Sequence, residues 1–167
     1  MNRSAIASVA LACAGLSPAI ALAQNTAPHA GAGAAEHNWE AGVAFGRDYD
    51  SDQNLWAFSL GKTFEHGYKL VFEYADGMHG HLGSKVSTLK VVKEVFRWGP
   101  AEFGLLGGGS YVKEAHANGW GAMLGVEAIY PLARNFAAKF EVSYLWGFGD
   151  ISETRAAVVQ AGLLYRF

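Results

Sequence analysis

Asp48-Tyr49-Asp50-Ser51-Asp52 sets three carboxylates at alternate positions, as the start of a calcium-binding loop does. Such a loop also needs a glycine at its sixth position and a bidentate glutamate at its twelfth. Gln53 and Ser59 stand there, so the segment reads as a solvated acidic loop. His79-Gly80-His81, with Asp76 and with His116 in another loop, offers donors of the kind that hold zinc. Spacing alone builds no tetrahedral site from them, and no metal ligand is assigned. Covalent catalysis needs a nucleophile held beside a base. Ser59, Ser87, Ser110 and Ser143 have no histidine near them on their own segments, so no catalytic residue is assigned either. Gly107-Gly108-Gly109 precedes no helix that could hold a phosphate and reads as close strand packing or a bend. No cofactor is implied.

The elements that would position these groups follow a period of two, which marks strands whose two faces meet different surroundings. Trp39, Ala41, Val43 and Phe45 alternate with Glu40, Gly42, Ala44 and Gly46. Similar runs begin at Trp56, Tyr68, Glu102, Trp120 and Phe136, a last one spans Arg155 to Phe167, and Ser87 to Arg97 holds apolar and charged residues in both phases. This makes about eight strands of roughly the length that crosses a bilayer at a tilt. Bulky apolar residues hold one face, and small or charged residues hold the other. A soluble barrel would bury the bulky face. A narrow transmembrane barrel turns it outward and keeps the small residues for its lumen. Aromatic residues gather at strand ends: Trp39, Phe64, Tyr68, Phe103, Tyr130, Phe136 and Phe167 on one side, and Trp56, Tyr74, Tyr111, Trp120 and Trp146 on the other. Two such girdles suit two membrane interfaces. Short connections at 65–67, 98–100 and 131–135 alternate with longer polar ones at 47–54, 76–84, 113–119 and 147–154.

Charges on the lumen face must be paired to be tolerated. One register across the 76–84 connection sets Glu73 opposite Lys90 and Lys69 opposite Glu94. It turns Lys90, Val92 and Glu94 inward and Leu89, Val91 and Val95 outward. Lys93 then faces lipid near a short turn, where it can snorkel to the interface. The same reasoning opposes Glu127 with Lys139, Glu40 with Arg166 at the seam, and Glu141 with Gln160, and leaves Glu102 without a partner. The expected interior is a salt-bridged plug.

Residues 1–23 read as a secretory signal, with Arg3 before an apolar core and Ala21-Leu22-Ala23 at the cleavage site. Residues 24–36 are an aperiodic lead-in rich in Ala, Gly and Pro, and residues 37–167 form the barrel. The single cysteine, Cys13, lies in the leader, so the mature chain has no disulfide. A formal charge of −2 supplies no basic face for nucleic acid.

In the last strand Ala157, Val159, Ala161, Leu163, Tyr165 and Phe167 share one face. This strand resembles the C-terminal strand of bacterial outer-membrane β-barrels, which closes the sheet and carries the assembly signal. Gly119–Asn135 resembles the penultimate hairpin of the small outer-membrane β-barrel superfamily that includes opacity proteins and the membrane domain of outer-membrane protein A, and Phe140–Tyr144 its returning strand. The resemblance implies an all-β, eight-stranded antiparallel up-and-down barrel in the bacterial outer membrane, exported through a cleaved signal peptide. It implies a structural or surface-interaction role, with outer-membrane lipid, lipopolysaccharide, the barrel assembly machinery and an extracellular loop ligand as partners. With no peptidoglycan-binding segment after Phe167, that part of the larger family's role is not expected. Barrel lipid A deacylases and palmitoyl transferases are the enzymatic alternative, and a small narrow pore is another. The deacylases carry a His and a Ser one residue apart on a strand, which this chain lacks.

Overall fold

The computed structural model describes residues 38–77, 85–114, 117–152 and 154–167. The leader, the lead-in, Cys13, His79, His81 and His116 lie outside them. Eight strands form a closed antiparallel barrel in sequence order: β1 (Trp39–Asp48), β2 (Gln53–Thr63), β3 (Tyr68–Gly77), β4 (Lys85–Trp98), β5 (Ala101–Lys113), β6 (Asn118–Pro131), β7 (Phe136–Gly147) and β8 (Arg155–Arg166). β1 pairs with β8 from Glu40↔Arg166 to Asp48↔Val158, so no strand edge is left open.

The alternation sorts the faces as expected. Val43, Phe45, Phe58, Leu60, Phe72, Leu89, Val91, Leu105, Leu124, Val126, Phe140 and Leu163 form an exposed apolar exterior. Glu40, Lys69, Glu73, Lys90, Glu127, Lys139, Glu141 and Gln160 are buried inside. The prolines beyond the lead-in fall at strand ends, where no ladder donor is lost: Pro100 in a turn, and Pro131 as the last residue of β6.

Three expectations are corrected. The strands run further toward the longer connections than the sequence pattern indicated. Asp48↔Gln53 is still a ladder pair, so the 47–54 connection shrinks to a turn at residues 49–52. The β3/β4 register differs by two residues: Glu73 lies opposite Thr88, and Lys69 opposite Val92. A slip of two keeps every side chain on its face, so the alternation alone could not choose between the registers. Lys90 and Val92 accordingly stay inside, and Leu89, Val91 and Val95 stay outside. The β6/β7 register also moves by two, which sets Glu127 opposite Glu141 and Lys139 opposite Ile129.

The mixed pattern of β4 has a local cause. The β4/β5 register shifts between Glu94 and Phe96, inserting one extra residue as a β-bulge. Val95 and Phe96 are both exposed in consequence, and Phe96 stacks on Phe103 with centroids 4.5 Å apart.

Candidate functional site

The most constrained polar assembly is the lumen. Lys90 is 0% exposed. Its Nζ donates to Glu73 Oε2 at 2.9 Å and to Glu141 Oε2 at 2.7 Å. Lys139 Nζ lies 2.7 Å from Glu141 Oε2 and 3.3 Å from Glu73 Oε2. Two lysines and two glutamates from β3, β4 and β7 thus form one cluster. Gln160 of β8 joins it, its Nε2 donating to Glu73 Oε1 at 3.1 Å. A second cluster lies toward the short turns. There Lys69 Nζ bridges Glu40 Oε1 and Glu127 Oε1, both at 2.8 Å. Arg166 reaches Glu102 Oε2 at 2.9 Å and Glu40 Oε2 at 3.8 Å.

The expected pairs fare differently. Glu73–Lys90 forms, although as a diagonal rather than a directly opposed pair. Glu40–Arg166 forms across the seam between directly opposed residues. Glu141 and Gln160 are opposed, as expected. Lys69–Glu94 is replaced. Glu94 instead accepts from Arg97 at 2.9 Å, because the bulge swings Arg97 back toward it, and Lys69 turns across the lumen. Glu127–Lys139 is replaced too, Glu127 being held by Lys69 and Lys139 by Glu141. Glu102, expected to be unpartnered, meets Arg166 and, at 3.8 Å, Arg97. Lys93 reaches the turn end, as expected: its Nζ donates to the His66 carbonyl and lies 4.1 Å from the Tyr68 ring centroid.

The clusters divide the lumen. A cavity of about 60 Å³ toward the turns is lined by Glu40, Lys69, Glu94, Glu102, Glu127 and Arg166, among others. A larger one of about 290 Å³ opens toward the longer connections. Lys90, Lys139 and Glu141 line neither and fill the level between them.

The loop candidates resolve into local structure. Asp48 Oδ1 accepts from the Asp50 amide at 3.0 Å, and Asp50 Oδ2 from the Ala157 amide at 3.1 Å. Asp52 pairs with Arg47. These carboxylates cap and tie down a turn instead of converging on one point, and among the described residues no cluster of metal-ligating side chains is found. Ser110 Oγ lies 2.9 Å from Thr88 Oγ1, a hydroxyl and not a base. Within the triple glycine, close strand packing requires Gly108: a Cβ there would meet the Leu89 carbonyl oxygen at 2.3 Å.

One feature of the lumen escaped the sequence reading. Its half beneath the longer connections is apolar, built from Val112, Met123, Leu145, Ile151, Ala156 and Val158. The signal was present as apolar residues in the inward phase, Met123 and Val158 among them.

This is the fold of the small eight-stranded outer-membrane β-barrels, here with an apolar exterior and a lumen that is ion-paired toward the short turns and apolar toward the longer connections. Three solved structures show the likeness. The N-terminal β-barrel domain of Pseudomonas aeruginosa OprF superposes with a TM-score of 0.64 at 16% identity, over 77% of this chain and 96% of that one. Neisserial surface protein A gives 0.60 at 12% identity, over 77% and 96%. Ail, the attachment invasion locus protein of Yersinia pestis, gives 0.53 at 12%, again over 77% and 96%. No protein-family model matches the sequence. No curated protein matches it either.

Proposed function

We propose that this chain is a non-enzymatic integral outer-membrane protein with a structural or surface-interaction role, presenting its longer connections outside the cell from a closed barrel. The observation that carries the reading is Lys90, completely buried between Glu73 and Glu141 at the level that separates the two lumen cavities. Breaking such a cluster strands charges in a desolvated interior, which favours a plug over a water-filled path. The likeness to Neisserial surface protein A and to an attachment invasion locus protein supports a surface role. Residues 1–23 act as the export signal and 24–36 as the periplasmic lead-in. Outer-membrane lipid and lipopolysaccharide surround the apolar exterior, and the barrel assembly machinery engages β8.

Fractionation with planar-bilayer recording tests this. The protein should float with outer membranes, begin at Gln24 by N-terminal sequencing, and give no steady conductance. Incubation with lipopolysaccharide should release or transfer no acyl chain. Residence in the soluble periplasm, a stable open channel or acyl turnover would overturn the corresponding part of the reading.

A further inference from the structure

The cavity of about 290 Å³ opens between Asp48, Asp50, Glu114 and Arg155 at the end of the longer connections, and its deeper walls include Leu55, Val86, Val112, Met123, Leu145 and Val158. Its inner end is polar, where Glu73, Thr88 and Gln160 line it. Thr88 is satisfied by Ser110. Gln160 is not. Its Nε2 donates to Glu73, and because a carboxylate only accepts, this contact fixes which end of the amide is nitrogen. The other end, Oε1, meets no donor among the described residues, although the residue is only 3% exposed. A buried acceptor without a donor carries an uncompensated desolvation penalty.

Charge narrows what could supply that donor. Directly beneath, Glu73 and Glu141 are balanced by Lys90 and Lys139. A charged head group would unbalance this set in a desolvated place, so a neutral donor fits and an ammonium or carboxylate does not. Size narrows it further. The volume is at the small end of ligand pockets, which suits a compact ligand.

We propose that this cavity binds a small uncharged amphipathic molecule. A hydroxyl or primary amide of the ligand donates to Gln160 Oε1, and a compact aliphatic or aromatic body packs on Val112, Met123, Leu145 and Val158. The site is independent of the surface-interaction role, since it lies inside the barrel.

The test is a ¹⁹F NMR titration of the folded full barrel in detergent with 4-fluorobenzyl alcohol and with 4-fluorotoluene. Saturable binding is expected above the linear partitioning into micelles, with the alcohol about five- to tenfold tighter, as one neutral hydrogen bond allows. Gln160→Leu should erase that preference while keeping fluorotoluene binding. Val158→Phe, which fills the cavity, should abolish both, with heat-modifiable migration confirming that each variant is folded. If Gln160→Leu does not fold, Overhauser contacts between the ligand ring and the Met123 methyl group of the unsubstituted protein decide. Purely linear partitioning, equal affinity for the two probes, undiminished binding by Val158→Phe or absent Met123 contacts would overturn the proposal.

Discussion

Lys90 and Glu73 form a buried ion pair at 2.9 Å while standing two residues out of register, Lys90 being directly opposite Val71 and Glu73 opposite Thr88. A lysine stem spans that diagonal easily, since diagonal neighbours on one face of a sheet are still within reach of long side chains. The offset also lets Lys90 reach Glu141 of β7 on the far wall. One cation thereby ties β3, β4 and β7 together.

Lys90→Ala should therefore be the most damaging single change in the lumen. It leaves two carboxylates sharing Lys139 alone, whereas Glu73→Ala leaves both lysines with Glu141. A loss of about 3–5 kcal/mol is expected for Lys90→Ala, and less for Glu73→Ala. Urea unfolding in lipid vesicles measures both, and the double variant should be less destabilised than the sum of the singles. Strict additivity would disprove the coupling.

Lys69 and Glu94 separate the observed pairing from the expected one. Lys69→Met removes the bridge between Glu40 and Glu127 and should cost several kcal/mol, of order 3. Glu94→Gln touches a half-exposed pair with Arg97 and should cost no more than about 1 kcal/mol. Equal losses in the same unfolding assay would restore the Lys69–Glu94 pair.

Two adjacent glycines give a sharp steric contrast. An added Cβ at Gly108 collides with the Leu89 carbonyl oxygen and the Lys90 Cα, while at Gly109 it meets nothing within 4 Å. Gly108→Ala should lower the yield of heat-modifiable barrel and cost about 1–3 kcal/mol. Gly109→Ala should fold normally, within about 0.5 kcal/mol.

Phe167 holds the seam by its backbone. Its amide donates to the Trp39 carbonyl at 2.9 Å, and the Trp39 amide donates to the Phe167 carbonyl at 3.2 Å. Deleting Phe167 removes both bonds and the stacking on Tyr165, so slower assembly and less folded barrel in the membrane are expected. Wild-type levels by gel migration would contradict this.

Orientation can be read by chemical labelling, because residues 24–167 contain no cysteine. In intact cells, Asp52→Cys should react with a membrane-impermeant maleimide, and Arg134→Cys in the opposite turn should react only after lysis. The reverse pattern would invert the barrel.

The sequence by itself determined the parity of each strand. In β4 the charges of the neighbouring strand assign Lys90 and Val92 inward and Leu89 and Val91 outward, and a slip of two residues leaves that assignment unchanged. It also located the seam pair Glu40–Arg166, since the first and last strands of a closed meander must meet. Tertiary structure alone decided which charges touch. Glu127 stands directly opposite Glu141, a like-charge pairing that a strand-by-strand reading rejects. It is tolerated because Lys69 reaches Glu127 from β3, and Lys90 reaches Glu141 from β4. In so narrow a barrel, side chains from opposite walls meet at the axis. Sequence separation and ladder arithmetic carry no record of that distance, which exists only once the sheet has closed.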